Sequence, residues 1–126
     1  MTDDGTFDSF RRAETLLGQR RPLEALRELE AVVKAAPDAP SVHLLAGRAY
    51  LGSAQLNRAE DAFLKVLEFD PADHYARFAL GRTLQRQGRY TEARTQLRMA
   101  VAMNPLPEYQ EAFGEVAARI ALHAES

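Results

Sequence analysis

Three features of the sequence predict an all-α fold, with three stacked helix hairpins closed by a seventh helix. The first is a 34-residue period, at which Pro37, Pro71 and Pro105 recur. Ala25, Ala59 and Ala93 keep the same spacing, as do Leu29, Phe63 and Leu97. So do Leu16, Tyr50 and Leu84, and the small residues Ala13, Gly47 and Gly81. Five columns sharing one period identify an internal repeat, and that sets the architecture before any element is assigned. The second feature is an apolar stripe after the last repeat, at Tyr109, Ala112, Phe113, Val116, Ala117, Ile120 and Ala121. Its spacing is that of one helix face. The third is that no strand is apparent anywhere between these elements.

The elements follow in order. After a flexible segment over 1–5, first helices are expected at about Phe7–Gly18, Ser41–Gly52 and Tyr75–Gln87. Second helices are expected at about Pro22–Ala35, Arg58–Phe69 and Thr91–Met103. Pro22 is tolerated at a helix start, where its missing N–H has no intrahelical partner to lose. Asn57 with Glu60 three residues on reads as an N-cap and capping-box pair. The recurrent prolines stop the second helices, because proline lacks the donor and restricts the residue before it. Ala13, Gly47 and Gly81 let paired helices approach closely, while Leu16, Tyr50 and Leu84 fill the space between layers together with Leu29, Phe63 and Leu97. The seventh helix is expected over about Glu108–Ala124, with Glu108, Glu111, Glu115 and Arg119 opposite its apolar stripe. On the 34-residue step Glu115 falls where Gly81 would be, so this helix reads as a cap without the repeat signature. The other reading, a helix reserved for a partner, stays open.

Composition narrows the chemistry. The chain of 126 residues contains no Cys, which excludes disulfides, thiolate metal sites and Cys nucleophiles together. Ala occurs 22 times and the cations are 14 Arg against 2 Lys, a bias that fits a GC-rich, bacterial genome. Net charge is −2, which gives no whole-molecule case for nucleic acid or an anionic membrane. The acidic start has neither the basic nor the apolar part of a signal peptide, and no apolar run is long enough to span a bilayer. A cytoplasmic domain is expected. His43, His74 and His123 stand apart, with no metal-ligand spacing, and Met99 and Met103 read as core filler. Asp38, Asp70 and Glu60-Asp61 read as helix-terminal or solvated carboxylates. No catalytic residue, cofactor or metal is expected, and the protein is not read as an enzyme.

The repeat columns resemble those of the tetratricopeptide repeat (TPR). The second repeat has Ala46-Gly47, Tyr50, Ala59, Phe63 and Pro71; the third has Leu80-Gly81, Leu84, Gly88, Tyr90, Ala93, Leu97, Ala100 and Pro105. The first is more degenerate, with Arg12 at the position of Leu80, as suits a terminal repeat with no earlier neighbour. The resemblance covers residues 6 to 107. It implies a right-handed superhelix in one domain over 6–126, with repeats 6–39, 40–73 and 74–107 and a capping helix 108–124.

It also implies a concave groove lined by first helices, with the second, fifth, ninth and twelfth positions of each repeat facing it. Those are Phe7, Phe10, Glu14 and Leu17, then Ser41, Leu44, Arg48 and Leu51, then Tyr75, Phe78, Arg82 and Gln85, with Arg86 following. The row Phe10, Leu44 and Phe78 is apolar throughout, and exposed aromatics on a concave surface anchor a peptide. The subclass that grips acidic C-terminal peptides of heat-shock chaperones uses Lys and Asn at the fifth and ninth positions of the first repeat. Here these are Phe10 and Glu14, so that clamp is not expected.

Charge is uneven along the chain. Residues 74–107 carry six Arg against one Glu, between acidic neighbours. These arginines either solvate helix faces and pair with Glu108, Glu111 and Glu115, or make a basic groove end from Arg48, Arg82 and Arg86. The second arrangement suits an acidic or carboxylate-terminated peptide. The expected function is a non-catalytic interaction module, a monomer or weak homodimer, that holds a peptide or helix of another protein. Two alternatives are RNA binding through Tyr75, Arg77, Phe78, Arg82, Arg86 and Arg89, and a self-associating structural role.

Overall fold

The computed structural model describes residues 2–125, with side chains from residue 5 to 124. Seven α-helices follow one another: α1 Thr2–Gly18, α2 Pro22–Ala35, α3 Pro40–Gly52, α4 Leu56–Phe69, α5 His74–Arg86, α6 Tyr90–Met103 and α7 Pro107–Glu125. No strand occurs among the described residues. Six of the helices begin and end within two residues of the sequence expectation. The first does not. It starts at Thr2, so residues 2–5, expected as a flexible segment, continue α1. Only Gly5 weakens that stretch, and one glycine costs a helix about 1 kcal/mol relative to alanine without ending it.

Consecutive helices pack pairwise, and each odd-numbered helix also touches the next odd-numbered one. No Cα atom of one even-numbered helix comes within 8 Å of another's. A row whose first helices meet while its second helices are splayed must curve with the first helices on the inner side. Two core clusters run along this row. One joins Ala13, Ala25, Leu29 and Val32 with Val42, Leu45, Ala46 and Ala49. The other joins Ala59, Phe63 and Val66 with Leu80, Leu84, Leu97, Ala112 and Val116. Tyr50 packs against both, which makes it the link between the layers.

The repeat columns have the contacts that their side-chain sizes require. A Cβ placed on Gly47 would lie 2.6 Å from the Phe63 ring, and one on Gly81 would lie 2.6 Å from Leu97 Cγ. Hydrogen is therefore the only substituent those crossings admit. Ala25, Ala59 and Ala93 are fully buried at the same junctions. The turn inside each hairpin holds one residue at positive φ, and these too recur every 34 residues: Arg20, Ala54 and Gly88. Only the third is glycine, the residue that adopts this conformation without steric penalty.

Two local expectations need correction. Asn57 is not the N-cap of α4; Gln55 is, and it makes no side-chain cap. Asn57 and Glu60 instead accept from Gln87 Nε2 at 3.0 and 3.1 Å, and Glu60 accepts from Arg89 Nη1 at 2.7 Å. Their oxygens tie the second repeat to the third: Asn57 stands inside α4, past the cap position, and Glu60 meets the charged Arg89 donor of the next hairpin turn. Met103 is 40% exposed at the end of α6 and fills no core, while Met99 is half-buried.

Candidate functional site

The inner surface is built from α1, α3, α5 and α7. Phe10 and Leu17 are half-buried against the first core cluster. Leu44, Leu51, Tyr75 and Phe78 are half-buried against the second. Glu14, Ser41, Arg48 and Arg86 are exposed, and Arg82 and Gln85 are intermediate. Phe7 is 61% exposed, with the Arg11 guanidinium 5.7 Å from its ring centroid. Phe7, Phe10 and Ser41 share one cavity with Val32, Ala36 and Val42.

The apolar row is not open along its whole length. Phe78, expected as an exposed anchor, has its ring stacked on Tyr109 of α7 at 4.6 Å between centroids. Tyr109 is 2% exposed, and its hydroxyl lies 2.8 Å from His74 Nδ1. Asn104 Nδ2 lies 3.3 Å from His74 Nε2, so the imidazole is held from both ring nitrogens. The C-terminal end of the row is thus closed by the chain itself, while its N-terminal end carries the cavity.

This closure reflects a register the 34-residue step does not give. The α6–α7 connection has three residues, where the α2–α3 and α4–α5 connections have four. Measured from α5, the equivalent residues of α7 therefore stand 33 positions on. Gly114, not Glu115, falls at the place of Gly81, and Phe113 at that of Leu80. The burial of Tyr109, Ala112 and Val116 matches that of Ala76, Ala79 and Thr83. Helix α7 is stacked as the first helix of a further unit.

The basic end is partly neutralised from within. Arg82 Nη1 donates to Glu115 Oε2 at 3.0 Å and to Gln85 Oε1 at 3.1 Å. Arg86 Nη1 donates to the Leu51 carbonyl at 3.0 Å, bridging two repeats. Arg119, whose role the sequence reading missed, joins Arg82, Gln85, Arg86, Tyr90 and Glu115 around a cavity of about 570 Å³. The 33-residue step would have found it, since it places Arg119 at the position of Arg86. Burial holds the Tyr75 pKa above its ordinary value, outweighing the Arg48 guanidinium, which favours ionisation of the phenol. Burial also raises Tyr109.

A raised phenol pKa means the fold keeps protons that the unfolded chain releases above about pH 10. Stability should therefore be flat up to that pH and fall beyond it. Thermal melts from pH 8 to 11 should show this decline, and Tyr75→Phe combined with Tyr109→Phe should flatten it. Among the described residues no group of His, Asp and Glu is arranged to hold a metal ion. No described helix is long and apolar enough to cross a membrane.

A family model described as tetratricopeptide repeat matches the chain three times, over residues 10–74, 44–106 and 78–125. The third match includes α7, in keeping with its stacking. No curated protein matches the chain. Among solved structures, the Sgt2 TPR domain from Aspergillus fumigatus is similar at 14% identity and TM-score 0.88, over 96% of this chain and 82% of that one. MamA is similar at 16% identity and TM-score 0.86, over 95% and 71%. The first TPR of Spaghetti (RPAP3), bound to the HSP90 peptide SRMEEVD, is similar at 14% identity and TM-score 0.87, over 94% of each chain. At these identities the likeness is one of fold.

Proposed function

Because the chain belongs to the tetratricopeptide-repeat family, we propose that it is a small, non-catalytic cytoplasmic adaptor holding a peptide or helix of another protein along its inner surface. The observation that carries this reading is the apolar run Phe7, Phe10 and Leu44 on the inner helices, with the Phe7 ring 61% exposed beside an open cavity. A solvated helix face gains nothing from such a ring, whereas a partner covering it gains buried apolar area. Arg86 and Arg119, with Arg82 held between Gln85 and Glu115, leave the other end net positive and suit an acidic segment of the same partner.

The chaperone-peptide mode of the Spaghetti relative does not transfer, since Phe10 and Glu14 stand where that subclass has Lys and Asn. A nucleic-acid surface would need the third-repeat guanidinium groups free. Of Arg77, Arg82, Arg86 and Arg89, the first donates to Gln96 and the Pro71 carbonyl and the last to Glu60 and Glu92, which leaves Arg82 and Arg86 of that set to meet a phosphate backbone. Protein binding is the better account.

Capture of a partner from extracts of the native host tests the reading. Phe7→Asp and Leu44→Asp should each weaken capture by about tenfold or more, equivalent to about 1.4 kcal/mol. The melting temperature of Phe7→Asp should stay at the parent value, because Phe7 is outside the core. Undiminished capture by both variants would exclude the inner surface.

A further inference from the structure

Consecutive first helices leave a notch between them, and the last notch shows what such a notch accepts. Between α5 and α7 it holds the Tyr109 ring, stacked on Phe78, with the hydroxyl at His74. Two repeats earlier the same places are taken by other residues. Val42 stands where Tyr109 does, the third residue of its helix in each case. Phe10 stands for Phe78, Thr6 for His74, and Ala36 for Asn104. The structure brings these four together: Thr6, Phe10, Ala36 and Val42 line one cavity of about 380 Å³. Valine is too short to fill the space that a ring occupies in the last notch. Phe7 stands at its edge.

We propose that this first notch docks an aromatic side chain of the partner polypeptide, in the manner in which the last notch docks Tyr109. The inference rests on the inner-surface reading above and names the partner's anchor. Its platform is Phe10, which offers the face that Phe78 offers to Tyr109, and offset ring pairs are favoured beyond their area. The remaining walls, Val32, Ala36 and Val42, are apolar, and burying the ring against them supplies the driving force. Thr6 and Ser41 put hydroxyl-bearing side chains on the lining, Thr6 in the place where His74 meets the phenol oxygen, so a tyrosine is accommodated as well as a phenylalanine. The occupant comes from another molecule, because the residue in register on α3 is Val42.

The probe is p-cresol, the tyrosine side chain as a free molecule, titrated into the isotopically labelled chain and followed by amide NMR. Saturable shifts are expected at residues 6–10, 32–36 and 41–42. Val42→Tyr supplies the missing ring from within and should weaken p-cresol binding by about tenfold or more. Ala36→Leu narrows the cavity from a half-exposed wall and should do the same, which keeps the test decisive if Val42→Tyr fails to fold. Tyr109→Phe, remote from the first notch, should leave these shifts unchanged. Shifts confined to other residues, or equal binding by a folded blocking variant, would overturn the proposal.

The probe needs no partner, so the two readings fail separately. Loss of partner capture in Leu44→Asp with no p-cresol shifts removes the notch and leaves the inner-surface reading. Undiminished capture in Phe7→Asp and Leu44→Asp removes the inner surface, and the notch with it as a partner site.

Discussion

Phe63→Ala should lower the unfolding free energy by about 3–5 kcal/mol, the range for truncating a fully buried aromatic side chain. Phe63 is completely buried, and its ring lies against the bare Cα of Gly47, so the second hairpin closes around it. Urea denaturation followed by circular dichroism would read the change as a fall in midpoint at nearly constant slope. The companion variant Gly47→Ala makes the test specific. Its new Cβ would stand 2.6, 2.8 and 2.9 Å from three ring carbons of Phe63, and that overpacking should cost about 1–3 kcal/mol. Once Phe63 is alanine the obstacle is gone, and Gly47→Ala should then stabilise by up to about 1 kcal/mol through helix propensity alone. A change of sign between the two backgrounds is the expected result. Strictly additive effects would show that the two residues do not face each other.

Tyr109→Ala is expected to be of comparable size, about 3–5 kcal/mol, since it removes a buried ring that stacks on Phe78 and meets His74. Tyr109→Phe keeps the ring and loses only the hydroxyl, so it should cost about 0.5–1.5 kcal/mol, the net value of one hydrogen bond. The difference between the variants separates packing from polar pairing. Helix α7 packs only on α6 and α5, so the damage should be greatest at that end of the row. In hydrogen exchange, α7 amides should lose protection before those of α1 to α4. Uniform loss along the chain would mean that the row unfolds as one unit and that α7 is no separate cap.

Much of this was legible beforehand, because a repeat writes its packing rules several times. A small residue at 13, 47 and 81 opposite a large one at 29, 63 and 97 states a helix crossing three times over. The starts and stops of the helices follow from prolines whose backbone chemistry is local. What the sequence did not show was how polar groups choose among partners. Asn57 and Glu60 have the spacing of a capping pair, yet their oxygens meet Gln87 and Arg89, some 30 residues on. The bond from Arg89 to Glu60 is charge-assisted, and only the folded chain brings the guanidinium there. In the same way, Arg82 is a groove cation by position and an ion-pair partner of Glu115 in fact.

The inner surface divides along the same line. Which residues of α1, α3 and α5 share a face follows from their spacing, since 3.6 residues per turn is a property of the backbone. Which notch is filled and which is open does not follow from it. Shortening the last connection by one residue turns α7 by about 100° relative to the 34-residue step. That rotation carries Tyr109 onto Phe78 and places Gly114 in the register of Gly81. The sequence by itself determined the period, the helix pairs and the packing columns, because each is local chemistry repeated at fixed intervals. The tertiary structure alone decided where the apolar row is closed and where it is open, because that depends on how one helix is rotated against its neighbours.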